Sequence, residues 1–284
     1  VVDYLVQFFT INQEALKLTF LSAACSLVPI LIWASVFLYK HNEKRELVVR
    51  TFAFGAFMVL PFILYRELWD VFPFLNIQTK ITSISQNSAF SLPLSLAFLF
   101  ASLGCIEEYF KHKVASSIDH VELNSIDDAI EFSILAALGF SFAENTFYFI
   151  QAWQTSGPDM FYKLVIFRSL FSTFAHILFS SIYGYHSGLA LFANPILHNK
   201  KDHSLYKRMA YKLHNWIHIR TDIIFKDFQR VFGLIIASLF HGAYNILLEL
   251  GNTTFLIPFL IFGFLYTMKL ISDEKNQQIL QPSS

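Results

Sequence analysis

LVIFRSLFSTFAHILFSSIYGYHSGLALF, residues 164–192, decides what kind of fold this chain can adopt. The run is apolar and longer than the roughly 20 residues a helix needs to cross a bilayer. Its ionisable groups are Arg168, His176 and His186. In hydrocarbon a charged side chain at a helix centre costs about 2.5–3.5 kcal/mol, so such groups face a partner or a wet cavity. The rest of the chain repeats this pattern. Over 284 residues, hydrophobic side chains make up 55% and charged ones 15%, against about 25% charged in soluble domains. Phe alone contributes 33 residues. The expected fold class is all-α: a polytopic transmembrane helical bundle of about seven spans, at 15–39, 48–65, 89–106, 129–153, 164–192, 230–249 and 253–271. Net charge is zero, so no global field draws nucleic acid, and the bilayer is the expected surrounding.

The first apolar run is too long for a signal-peptide core and lacks a small-residue cleavage site after it, so it reads as a helix. Lys and Arg concentrate in 40–50, 107–125, 193–230 and the C-terminal tail. The alternate loops hold only Lys17, Arg66, Lys80 and Lys163. By the positive-inside bias this places the N-terminus outside and the C-terminus in the cytoplasm. In the long loop 193–229, Met209, Leu213, Trp216, Ile217 and Ile224 fall on one helical face among basic residues, as in a helix lying on an anionic leaflet. No internal repeat or low-complexity linker divides the chain. It reads as a single membrane domain, 1–284, with the informative helices at 89–249 and a cytoplasmic amphipathic loop at 193–229.

Four successive spans carry polar groups that hydrocarbon penalises. The third ends in CIEEYFKH, with Glu107 and Glu108. The fourth, EFSILAALGFSFAENTFYFIQAW, holds Glu144 and Asn145; the fifth holds His176; the sixth, RVFGLIIASLFHGAYNILLEL, places His241 and Asn245 at i, i+4 on one face. With a rise of about 1.5 Å per residue, Glu144, His176 and His241 each lie roughly 16–18 Å from a helix end, near the midplane. Glu107 and Glu108 fall lower, near the cytoplasmic boundary, which predicts a cavity opening toward the cytoplasm. His and carboxylate are ligands that hold Zn²⁺ while leaving a place for water. A neighbouring carboxylate serves as general base, and an amide one turn from a His can donate to an oxyanion. Lys111, at i+4 from Glu107 and i+3 from Glu108, can pair with an acid. Hydrolysis of an amide bond within the membrane is the chemistry these parts describe.

Each part also has a plainer reading. A His in a membrane helix commonly bonds across helices, and a Glu pair at a helix end is commonly solvated. The HExxH metalloprotease helix is absent from the sequence. GYHSG (Gly184–Gly188) has the wrong glycine spacing around Ser187 for a nucleophile elbow. HNWIH (His214–His218) lies on the amphipathic stretch, where interfacial packing suits it. Cys25 and Cys105 both fall in spans and form no framework.

Taken together, the motifs resemble a known family. EEYFK (Glu107–Lys111) is similar to the Glu-Glu-x-x-Lys motif of the PrsW intramembrane proteases. GFSFAENTFY (Gly139–Tyr148) is similar to the second motif, RSLFSTFAHILFSSIYGY (Arg168–Tyr185) to the third and LFHGAYNILL (Leu239–Leu248) to the fourth, with Asn245 where many members have Asp. The resemblance covers residues 105–249, in order. It implies an all-helical membrane endopeptidase related to the CAAX-prenyl endopeptidase superfamily, in a prokaryotic cytoplasmic membrane. Glu107 would then activate water, assisted by Glu144 and oriented through Glu108 and Lys111. His176 and His241 would hold a metal or donate protons, with Glu144 completing a Zn²⁺ ligand set, and Asn245 would help stabilise the oxyanion. The implied substrate is a membrane-anchored protein, of the kind represented by anti-sigma regulators. Two other functions stay open on the residues: a non-catalytic scaffold of the same superfamily, and a proton-coupled transporter using Glu144 and His176.

Overall fold

A computed structural model describes residues 13–40, 44–76, 79, 92–116, 123–198, 205–251 and 253–278. The first residues expected for the third span, and residues 199–204 of the long loop, lie outside them. Every regular element among the described residues is helical: α1 (Gln13–Lys40), α2 (Arg45–Phe57), α3 (Leu60–Val71), a 3₁₀ turn (Pro73–Leu75), α4 (Leu92–Ser116), α5 (Ile126–Ser156), α6 (Pro158–Phe167), a π turn (Arg168–Ser172), α7 (Thr173–Leu191), α8 (Ala193–His198), α9 (Leu205–Ile217), α10 (Thr221–Glu249) and α11 (Thr253–Gln278).

Five helical stretches are long and apolar enough to cross a membrane: Ala15–Ser35, Arg45–Leu64, Pro158–Leu191, Thr221–Glu249 and Thr254–Ser272. The helices bearing Glu107–Glu108 and Glu144 are not among them. Both carry charge; α5 is interior, while α4 leaves Phe98, Ile106 and Tyr109 exposed on one side. α5 is the centre of the bundle, packed against α7, α2, α1, α6 and α4. It is buried without a break from Ile134 to Ser141, as expected of a helix that is apolar on every side. Its start is fixed by Ser125, whose hydroxyl accepts the Asp128 amide at 3.0 Å, while the Asp128 carboxylate accepts the Asn124 amide at 2.9 Å; together these satisfy donors a helix N-terminus leaves open. α10 packs against α4 and α7, and α11 lies outside α7 and α10. Phe20, Ile32, Phe262 and Leu265 on α1 and α11 point outward and are at least 60% exposed, an apolar rim that suits lipid.

Close helix approach depends on glycine. At Gly139 a Cβ would sit 2.0 Å from the Phe52 carbonyl, and at Gly55 it would sit 2.1 Å from the Ala136 carbonyl. The α2–α5 crossing is therefore backbone against backbone, the packing that small residues permit in membranes.

Two sequence expectations are corrected. The amphipathic stretch is not one helix: α9 ends at Ile217, His218 adopts φ 58°, and Ile224 belongs to α10. The His214 ring lies 2.7 Å from the Ile219 carbonyl, so its N–H closes this turn. Leu205, Met209, Leu213, Trp216 and Ile217 of α9 remain exposed, in keeping with a surface helix. Secondly, the Glu pair is not at a helix end. α4 continues to Ser116, which carries Glu107 and Glu108 into the interior.

Candidate active site

The polar residues of the four helices meet in one tier. Glu108 and Lys111 of α4 are fully buried and joined by a 2.7 Å ion pair. The same Glu108 Oε1 lies 2.8 Å from His241 Nδ1 of α10. Lys111 Nζ reaches His176 Nδ1 of α7 at 3.0 Å, and lies 4.5 Å over the Phe140 ring. An ammonium only donates, so His176 Nδ1 accepts from it and the proton sits on Nε2. That Nε2 is 3.0 Å from Glu144 Oε2 of α5, so the imidazole donates to the carboxylate. Arg168 Nη2 also donates to Glu144 Oε2, at 2.6 Å, and Arg168 Nε donates to Asn145 Oδ1 at 2.6 Å. Asn145 in turn donates to Ser141 and Thr173, at 3.2 Å each.

Local backbone geometry makes this convergence possible. Arg168 and His176 share the cavity wall with Ser172 because the π turn at Arg168–Ser172 inserts an extra residue into the helix and rotates its face. The guanidinium then sits 4.2 Å over the Tyr148 ring. Tyr244 OH meets Ser172 Oγ at 2.9 Å.

A cavity of about 290 Å³ adjoins the tier, lined by Glu107, Glu144, Arg168, His176, His241 and Asn245, with Phe100, Leu103, Tyr148, Phe179 and Tyr244 among its apolar and aromatic walls. It extends along α10 to Leu248 and the exposed Glu249. The opening is therefore at the end of the bundle bearing the α5–α6 and α10–α11 turns, opposite α9. This is the end away from the 193–229 loop, and the Glu pair is level with the histidines rather than below them.

All six residues singled out in the sequence are in or against this tier. Glu107 Oε2 is 3.3 Å from His241 Nε2, close enough to pair but not aligned as a hydrogen bond. Glu108 is behind the cavity wall, with its Oε1 shared between Lys111 and His241. The ligand atoms of Glu108, His176 and His241 lie within 4.8 Å of one another. Two imidazoles and a carboxylate are a set that can hold a metal ion with a position left open, so the residues fit one. Glu144, expected as the third ligand, stands beside His176 and Arg168 and accepts from both. Sequence reading passed over Ser141, Thr173, Ser172 and Tyr244, and met Tyr148 only as the end of the second motif. Only the i, i+4 pair Ser141–Asn145 left a trace there, since lone hydroxyls in a membrane helix commonly bond their own backbone.

A membrane-embedded helical bundle whose interior gathers three carboxylates and two imidazoles around one cavity has the groups of a membrane hydrolase. Comparison with known proteins narrows this. Residues 43–271 match the PrsW family of intramembrane metalloproteases, and the chain belongs to that family. It is 26% identical over 227 residues to protease PrsW of Oceanobacillus iheyensis, covering 78% of this chain and 80% of that one. It is 26% identical to protease PrsW of Halalkalibacterium halodurans over 79% of this chain and 84% of the relative, and 29% identical to that of Geobacillus kaustophilus over 53% and 57%. No solved structure matches. The chain is thus an intramembrane endopeptidase and an integral membrane protein of a bacterial protease family.

Proposed function

We propose that this endopeptidase cleaves a membrane-anchored protein whose scissile segment enters the cavity from the end bearing Glu249. Glu107 activates the water. It is the member of the Glu-Glu pair that lines the cavity, and it lies against His241 Nε2. Glu108 and Lys111 stay buried and hold His241 and His176 in place through their Nδ1 atoms. Glu144, fixed by Arg168, assists at the opposite wall. Asn245, one helical turn beyond His241, offers its amide to the oxyanion. The proposed metal is Zn²⁺, held by His176 and His241 with a carboxylate, Glu108 being the nearest to both. When bound it would lower the pKa of a water and polarise the peptide carbonyl.

The observation that carries this reading is the shared cavity of Glu107, Glu144, His176, His241 and Asn245. Scaffolding alone would not need a hollow lined by catalytic groups. A transporter would need a cavity wide enough for its solute at each face, and this cavity opens at the Glu249 end. We further propose one membrane domain of seven spans, with α4 and α5 also crossing and the N-terminus outside; the cavity then opens outward. An anti-sigma-type regulator is the proposed class of substrate.

The test maps new protein N-termini in membranes carrying the wild type or Glu107→Gln at matched expression. Loss of the general base is expected to slow cleavage by about 10²–10⁴-fold, so termini present in the wild type should vanish. Chelation of the wild type should remove the same termini and added Zn²⁺ restore them. Identical termini in wild type and Glu107→Gln would overturn the role of Glu107; cleavage that survives chelation would overturn the metal.

A further inference from the structure

The catalytic tier has a second polar side, facing away from the cavity. On α4, His112 follows Glu108 at i+4. On α7, Ser180, Tyr183 and Ser187 follow His176 at i+4, i+7 and i+11; on α10, Ser238 and Arg230 precede His241 at i−3 and i−11. These spacings keep each residue on the face of its helix that carries the site residue. Three polar stripes therefore descend from Glu108, His176 and His241 toward the α9 end.

Four buried atoms along these stripes lack a hydrogen-bond partner among the described residues: Glu108 Oε2, His112 Nε2, Ser180 Oγ and Ser238 Oγ. Each belongs to a side chain at least 94% buried: Glu108 and Ser180 are 0% exposed, His112 4% and Ser238 6%. Glu108 Oε2 and His112 Nε2 are 3.6 Å apart, too far for a hydrogen bond and near enough for one water to bond both. The His112 ring stacks on Tyr183 at 3.2 Å between centroids. Ser187 and Arg230 lie within electrostatic reach of the Tyr183 hydroxyl, and both are partly exposed. Buried polar atoms left unpaired by protein are the usual sites of internal water.

We propose that this column binds a file of water molecules running from Glu108 past His112 and Tyr183 to Ser187 and Arg230. Each peptide bond hydrolysed consumes one water and leaves one carboxyl and one amine. A substrate segment lying in the cavity closes the opposite entrance, and the column refills the site from the α9 end. The supply role rests on the proposed hydrolytic mechanism, whereas the column itself does not.

Millisecond hydroxyl-radical footprinting of the full chain in lipid nanodiscs tests it, because radicals formed from internal water oxidise adjacent buried side chains. Tyr183 and Tyr185 are matched controls at 6% and 5% exposure. Tyr183 and His112 are expected to oxidise several-fold faster than Tyr185. In the Ser180→Val/Ser238→Val variant both should fall to the Tyr185 rate, while Glu107→Gln, inactive on the proposed mechanism, keeps the wild-type pattern. Oxidation of Tyr183 and His112 at the Tyr185 rate in the wild type overturns the column, even if the enzyme is active. Unchanged oxidation in the serine variant overturns the path past Ser180 and Ser238.

Discussion

Lys111 is the residue on which the tier turns. A fully buried ammonium is tolerated only where its desolvation is offset by paired acceptors, and Lys111 has Glu108 at 2.7 Å and His176 at 3.0 Å. Lys111→Met keeps the volume but leaves Glu108 buried and stripped of its cation. The loss is expected to be about 3–5 kcal/mol, read as a lower unfolding midpoint in detergent. Adding Glu108→Gln to Lys111→Met should recover part of it. An unchanged midpoint in the single variant would mean that the pair contributes nothing to stability. The ion pair was legible in the sequence as an i, i+3 spacing on a helix. Its partner across the bundle was not, because 65 residues separate Lys111 from His176. Nor could spacing tell Glu107 from Glu108: adjacent residues on a helix point about 100° apart, and only the packing of α4 against α10 shows which one meets the cavity.

At the scale of the element, the α2–α5 crossing is the strictest contact. Gly139→Ala would press a methyl onto the Phe52 carbonyl at 2.0 Å, and backbone cannot swing aside as a side chain can. Overpacking costs about 1–3 kcal/mol where side chains adjust, and Gly139→Ala should fall at or above the top of that range. Gly263→Ala is the contrast. Its Cβ would meet side chains alone, Leu178 Cδ1 at 3.3 Å and the Phe240 ring at 3.5 and 3.7 Å, which can adjust, so its loss should fall at or below the bottom of that range, about 1 kcal/mol. Equal effects in thermal unfolding would refute the backbone-contact account. Helix positions followed from hydrophobic runs. The break between α2 and α3 is marked by Pro61 in the first turn of α3, although the apolar run continues past it. The turn at His218 is not marked, because it interrupts a run that stays amphipathic across it. The π turn is likewise silent in sequence: RSLFS has no helix breaker.

For the whole molecule, the direction of the cavity sets where a substrate enters. With the N-terminus outside, Glu249→Cys in a chain with Cys25 and Cys105 replaced by Ala should react with an impermeant maleimide in intact cells. Reaction only after the cells are opened would invert the proposed topology. By itself the sequence determined that this chain is a helical membrane protein and which four helices carry its converging polar groups, since hydrocarbon penalises polar groups so heavily that each interior acid and imidazole stands out against its run. Its motifs also carried the family. The tertiary structure alone decided which of those groups touch: that Glu108 sits behind the wall while Glu107 faces the cavity, that Glu144 is held by Arg168, and that the hollow opens away from α9. Those outcomes depend on how far each helix extends past its apolar run and on the rotation of one helix against the next, which side-chain packing sets and one-dimensional spacing does not contain.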